Sequence, residues 1–447
     1  MAPAEPAAAG TVPAEPAAAA GTLSAEPAAA AGSLRFVVLG GSAPATVQLI
    51  DALAQWPAES SGHRPAGLDL VLYGRSPERL ARVARAARLR AAQLGLALTV
   101  TTETERSGAL TGADIVLNQI RPGGLEQRSA DESFPRQFGI PGEETLGPGG
   151  LACAVRAVAG LRPVWADVAS RCPGALLINL TNPAGIVTQA ARAAFGLDVI
   201  SVCDSPLDLL AAAAERLGRA DATGLRARYV GMNHVGWYAP ESGAELDRLA
   251  GLAPVLDPDL ARLHGALPGP YLRYYAHPDR MLAAQQGRPT RADQLRKLAS
   301  SALDTFGRGE LPAAWQRPAP WYSLAVVPLV DAWLAGSGPP LIVGLPNRGR
   351  LAWLPDDVIV EGPAVATRPG VLEPEPVASL PDLPRGILAR HASFERLAAT
   401  VLAAGPPTDG DLTRILLANP MVSSLDQARG LGAAIVARMS VFDPDWR

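Results

Sequence analysis

The chain predicts a doubly wound α/β fold, a Rossmann-like parallel sheet, followed by a second, mixed α+β lobe. Three observations carry this. Short apolar runs alternate with helical patterns through the first half. Those runs are apolar throughout, as in parallel strands covered on both faces. The first run also ends in paired glycines at the start of a helix, where a backbone can approach a pyrophosphate.

In chain order, residues 1–33 precede the pattern. Units of the PAEPAAAAG type recur around Ala4–Glu5–Pro6, Ala14–Glu15–Pro16 and Ala25–Glu26–Pro27. Alanine favours helix, but a proline in every unit interrupts it, and little apolar side chain is available to bury. The segment is expected to be a disordered low-complexity tail. Folded structure is expected from Leu34. LRFVVLGG is the first strand with its turn, and TVQLIDALAQ (46–55) the helix after it. LDLVLYG (68–74) is the second strand. Ser76 then fits an N-cap, with Pro77 opening the helix through 78–95. ALTVTTE (97–103), ADIVLNQI (113–120), LLINLT (176–181) and LDVISVC (197–203) continue the sheet. From about Asp208, Ala-, Leu- and Arg-rich segments alternate with breaks at Pro254, Pro258, Pro268 and Pro270. Residues 339–366 read as a strand pair across an Asn347–Arg348–Gly349 turn, and 386–440 return to helices. The expected division is a tail over 1–33, a dinucleotide-binding domain over 34–207 and an α+β catalytic and substrate domain over 208–447.

Composition narrows the function classes. The 447 residues are 48% hydrophobic and 19% charged, with a net charge of −3, which makes no electrostatic case for nucleic acid or an anionic membrane. Lys297 is the only lysine, so positive charge is almost wholly arginine, a sign of genomic base bias. Three cysteines, Cys153, Cys172 and Cys203, are too few and too odd for a disulfide framework. No apolar run is long enough to span a membrane and no secretory pattern opens the chain. A cytoplasmic location is expected.

Gly40, Gly41 and Ser42 stand between the first strand and its helix as a candidate cofactor site, although no third glycine completes the usual fingerprint. The alternative is a tight strand-to-helix turn. The second strand ends in Tyr73–Gly74–Arg75–Ser76, with no acid to grip ribose hydroxyls. Gly74 leaves room for a 2′-phosphate, and Arg75 and Ser76 could donate to it, so NADP is expected to be tolerated or even preferred over NAD. The alternative for Arg75 is a solvated helix-start residue.

Further candidates lie at strand ends. Cys203 and His234 each follow an apolar run, and a thiolate with an imidazole suits a borderline divalent ion. Alone, the pair fits core residues equally well. Arg128 could fork two donors onto a phosphate or sugar oxygens, or make a salt bridge. Asn182 can donate and accept as a diol demands, or cap a turn. PYLRYY (270–275) could supply a base or pack an interface.

The blocks NQIRPGGLEQRSADE (118–132), GIPGEETLGPGG (139–150), INLTNPAGIVT (178–188), VCDSP (202–206), GMNHVGW (231–237), PYLRYY and ANPMV (418–422) resemble, in order and spacing, the NAD- and manganese-dependent glycoside hydrolases of family four. These include 6-phospho-β- and 6-phospho-α-glucosidases. The resemblance implies NAD and Mn²⁺ as cofactors, Cys203 and His234 as the metal ligands and Tyr271 as the base. It implies that Arg128 and Asn182 contact the sugar, with Asp204 and Asn233 in the same substrate set. The implied reaction oxidises the sugar at C3, removes the C2 proton, eliminates the glycosidic oxygen, adds water and returns the hydride. A small sugar or sugar-phosphate substrate and a homodimer or homotetramer are further implications. The acid for the leaving group stays unassigned.

Two departures bear on substrate. Pro206 fits the phospho-sugar branch, but Asp204 stands where a neutral asparagine is usual and would repel a 6-phosphate unless a cation intervened. QRPAPWYSLA (316–325) keeps Arg317 and Tyr322 but lacks the usual glycines. Tyr271 needs a nearby cation to become a base, and Arg273 is one neighbour. A 6-phospho-β-glucosidase is the leading expectation. An unphosphorylated glycoside as substrate, a plain NAD(P)-dependent 2-hydroxy-acid dehydrogenase and a non-catalytic sugar or nucleotide sensor are the alternatives.

Overall fold

The apolar runs become parallel strands because helices cover both of their faces. The computed structural model describes residues 23–24, 33–56, 67–252 and 257–442. Its first parallel strands are β2 (Ser33–Leu39), β3 (Gly67–Tyr73), β4 (Thr99–Glu103), β5 (Ile115–Asn118), β6 (Leu176–Asn179) and β7 (Val199–Ser201). They lie side by side in the order β4-β3-β2-β5-β6-β7, the dinucleotide-binding order, which reverses between β2 and β5. Neighbouring residues of one strand serve opposite cores. Phe36 and Val38 of β2 and Leu70 and Leu72 of β3 pack with helices Gln48–Ala54, Pro77–Gln93 and Val327–Ala335. Val37, Leu39 and Val71 pack with helices Pro148–Arg171, Ala184–Phe195 and Asp382–Ala404.

Past β7 the same sheet continues with antiparallel strands. These are β8 (Tyr229–Met232), β9 (Val235–Tyr238), β10 (Leu267–Pro268), β11 (Leu341–Pro346), β12 (Ile359–Arg368) and β13 (Val371–Pro374), with β1 (Leu23–Ser24) added on β13. The order runs β7-β11-β12-β8-β9-β10, so late strands separate β7 from β8. Ser201, Gly344, Glu361 and Gly231 are successive cross-strand partners at one level of this region. A Cβ at Gly344 would collide with the Ser201 hydroxyl, so close pairing of β7 with β11 requires glycine there.

Ser76 caps its helix as expected, accepting from the Arg79 N–H at 3.3 Å. Three expectations need correction. Residues 46–55 are not one helix: a 3-10 turn over Pro44–Val47 leads into Gln48–Ala54. The strand pair of 339–366 does form, as β11 with β12, but no tight turn at Asn347–Arg348–Gly349 joins it. Residues 347–358 make a longer excursion, held because the Asn347 amide bonds the carbonyls of Leu351 and Leu354. The tail expected over 1–33 contributes Leu23–Ser24 to the sheet and Ser33 to β2; its other residues lie outside those described. Among the described residues no helix is long and apolar enough to cross a membrane.

Candidate active site

The loops leaving the carboxyl ends of β2, β5, β6 and β7 meet at one edge of the sheet, where ligands of open α/β sheets bind. At β2, the Gly40 and Gly41 N–H groups both donate to the Tyr73 carbonyl, at 3.0 and 2.8 Å. Gly40 has φ +87, and a Cβ on it would lie 3.0 Å from the Gln119 backbone; one on Gly41 would lie 2.8 Å from Leu72 Cα. The glycines let the turn sit between β3 and β5, and that packing alone explains them. Ser42 lies against Gly74, whose Cβ would be 3.2 Å from its hydroxyl. Arg75 is exposed beside this turn. The switch-point crevice and tight turn fit a dinucleotide, with Ser42 and Arg75 free to face it.

The loops after β5 and β6 build a charged cluster around Glu144. Gly142, Gly149 and Gly150 press their segment onto backbone oxygens where any Cβ would collide, which brings Glu143 and Glu144 inward. Glu144 pairs with Arg121 and with Arg128, the latter at 2.7 Å, and accepts from the Asn182 amide at 3.3 Å. Arg128 also holds Glu132 at 2.7 Å. Burial pushes the Glu144 carboxyl up, but the Arg121 and Arg128 charges outweigh it and hold it down at about 2. Glu143 lacks such partners. Burial pushes its carboxyl up to about 7, although the Leu146 and Thr145 N–H groups donate to it at 2.7 and 2.6 Å.

Arg317 completes the cluster. It is half-buried near the charges of Arg121 and Arg128, stands over the Trp321 ring at 5.3 Å and forms no ion pair among the described residues. Its charge also acts on Asp204, whose carboxyl is pushed up mainly by burial. A cation therefore does stand by the anion that replaces the usual asparagine.

Cys203, His234 and Tyr271 face one place. The Tyr271 ring lies flat on the His234 ring, centroids 3.8 Å apart at 6°. Tyr271 also lies within electrostatic range of the Cys203 side chain, and the Asn233 side chain lies against the Cys203 sulfur. Cys203 lies 3.8 Å from Asp204 Oδ1. His234 occupies the left-handed region at φ +66, rare for a residue with a side chain and characteristic of functional turns. Burial lowers its imidazole to about 4, so it is neutral near pH 7, and its Nδ1 is buried with no hydrogen-bond partner. Burial, then Glu361 and Asp204, keep the Cys203 thiol protonated. A neutral imidazole with an open nitrogen and a thiol that can ionise fit a divalent cation. No set of three His, Cys, Asp or Glu groups forms a closed site among the described residues.

One expectation fails here. Arg273 does not assist Tyr271; its guanidinium lies over the Tyr274 ring at 5.3 Å. Burial, with Glu143, Cys203 and Glu144, instead pushes the Tyr271 hydroxyl up. Cys153 and Cys172 are buried and unpaired. The residues missed by sequence are Arg121, Glu143, Glu144 and Glu361. Adjacent acids in a Gly-rich turn were a visible signal for the middle two. Nothing local marked Glu361.

Comparison with known proteins follows this geometry. Residues 41–218 match the model described as family 4 glycosyl hydrolase, and 229–422 match that family's C-terminal domain. A Bacillus subtilis protein named probable 6-phospho-beta-glucosidase is 28% identical over 88% of this chain and 93% of its own length. A maltose-6'-phosphate glucosidase of the same species is 26% identical over 92% and 96%. Among solved structures, a Thermotoga maritima 6-phospho-beta glucosidase with NAD and glucose-6-phosphate superposes at TM-score 0.81, with 23% identity over 92% of this chain and 99% of that one.

Proposed function

Because this chain belongs to family 4 of the glycosyl hydrolases, we propose that it hydrolyses 6-phosphorylated glucosides with NAD and a manganese-like divalent cation as resident cofactors. The observation that carries the phosphorylated substrate is the gathering of Arg121, Arg128 and Arg317, with Arg317 unpaired among the described residues. A guanidinium without a carboxylate partner, beside a polar pocket, suits a phosphate. Relatives named for phosphorylated glucosides and a Thermotoga structure with manganese, NAD⁺ and glucose-6-phosphate support the same reading.

Cys203 and His234 would hold the cation, and the crevice beside Gly40, Gly41, Ser42 and Arg75 the dinucleotide. When bound, the dinucleotide exchanges hydride at the sugar C3 and the cation draws electrons from oxygens on C2 and C3, so that C2 becomes acidic. Asn182 and Arg128 orient the ring hydroxyls, and Asn233 lines the same pocket. Arg317 takes the phosphate and offsets Asp204. Tyr271 removes the C2 proton. Its hydroxyl is protonated in the ligand-free protein, so the basic form develops only in the assembled complex. The electron pair freed at C2 expels the glycosidic oxygen from C1, water adds across the C1–C2 double bond so formed, and return of the hydride to C3 would complete a net hydrolysis. The Ser76 oxygen accepts the Arg79 N–H in its helix cap and keeps its own proton to donate, so discrimination between NAD and NADP falls to Arg75 and Ser76. The enzyme is proposed to work in the cytoplasm as a homodimer or homotetramer.

The test is an assay with p-nitrophenyl 6-phospho-β-glucoside, its unphosphorylated counterpart and both α anomers, varying NAD(H), NADP(H), Mn²⁺ and a thiol reductant. Phosphorylated substrates should be preferred and turnover should need only catalytic amounts of dinucleotide. Activity that survives both EDTA and complete removal of dinucleotide would overturn the proposal.

A further inference from the structure

A second buried polar group stands behind Cys203 and has no place in the chemistry above. Glu361 lies within β12, 4% exposed, level with Gly344 on one side and Gly231 on the other. Side chains two residues apart on a strand share a face. Tyr229 precedes Gly231 by two and Asn233 follows it by two, so both face as Glu361 does; Cys203 stands two beyond Ser201. The contacts agree. The Tyr229 hydroxyl donates to Glu361 Oε2 at 3.0 Å, and the Asn233 side chain lies against both the Glu361 carboxyl and the Cys203 sulfur. A Cβ at Gly236 would collide with the Tyr229 hydroxyl, so β9 is recessed to admit this chain of groups.

The chemistry of Asn233 gives the chain a direction. The Asn233 Oδ1 is buried without a partner, so the amide nitrogen is the end turned toward the carboxyl and the sulfur, each of which can accept. A buried carboxyl is a costly thing to keep in a strand whose neighbours are apolar. Here it decides which end of the amide meets the sulfur.

We propose that Glu361 is a positioning residue for Cys203: through the Asn233 amide it fixes the direction in which the sulfur is presented. Tyr229 anchors the far side of the carboxyl. The inference rests on Cys203 and His234 being the cation's protein donors. Glu361→Gln would offer an amide N–H where the carboxyl accepted, turning the Asn233 carbonyl toward the sulfur.

The test uses the full chain and Co²⁺ as probe, following the thiolate-to-cobalt absorption in the near ultraviolet, with Mn²⁺ measured by competition. Glu361→Gln and Asn233→Ala should each weaken Co²⁺ binding about 10–100-fold and shift the band. The double variant should be no weaker than Asn233→Ala, because the two act in series. Should Glu361→Gln not fold, Tyr229→Phe, which deletes one hydroxyl, must move the band in the same direction. An unshifted band with affinity unchanged in these variants would overturn the positioning role and leave the donor pair standing. No such band in the unmutated protein would remove the donor pair, and the positioning role with it.

Discussion

His234 shows how much the site asks of a single residue. Its left-handed backbone costs on the order of 1–3 kcal/mol, and its open nitrogen is sealed from water. His234→Ala should therefore lose cation binding and most turnover, and Tyr271→Phe should lower turnover by about 10²-fold or more while dinucleotide affinity, followed by fluorescence titration, is unchanged. Glu143 ties the site to pH. Its carboxyl sits at about 7 in the fold against 4.5 for a free glutamate side chain. The unfolded chain gives up that proton more easily, so the contribution is fully present below pH 4.5 and is lost as pH rises through 7, about 3 kcal/mol in all. Glu143→Gln keeps the hydrogen-bond acceptor without the charge. Denaturant melts should show it close to the parent at pH 5 and clearly more stable at pH 8.5. Cys203, His234, Asn182 and Arg128 could be found in the sequence because each sits beside a strand end or a sharp turn. Glu361 could not, because only register brings it to Asn233.

At the scale of elements, the strands of the first half were legible because continuous apolar runs leave little choice of structure. The excursion at 347–358 was not. Its Asn-Arg-Gly triplet has the chemistry of a tight turn, and the triplet does occupy left-handed conformations at Arg348 and Gly349. Side-chain bonds from Asn347 then carry the chain onward. Helix Ala184–Phe195, which follows Asn182, depends on another unmarked contact. A Cβ at Gly185 would collide with the buried Glu395 carboxylate of helix Asp382–Ala404. Gly185→Ala should cost about 1–3 kcal/mol in chemical denaturation, and the Asn182 loop should shift enough to raise KM.

Across the whole molecule, the parallel and antiparallel halves are one sheet joined where β7 meets β11. The order of β2 to β7 follows from the alternation of strands and helices. The insertion of β11 and β12 between β7 and β8 does not, since pairing between distant segments leaves no periodic trace. The join predicts cooperative behaviour. Calorimetry of the full chain should give one main transition, whereas a fragment ending at Leu217 should show no cooperative melt. That fragment would expose the free edge of β7 and the core surface that Val327, Val330 and Trp333 cover.

Glu144 has a consequence for how the pocket empties. Arg128 and Asn182, assigned to the ring hydroxyls, already hold an anion of the protein's own, which Arg121 holds as well. Seating a sugar then means loosening donors from Glu144, so part of the attraction is cancelled in advance. A leaving product finds its place immediately refilled from within, which favours quick turnover over tight retention.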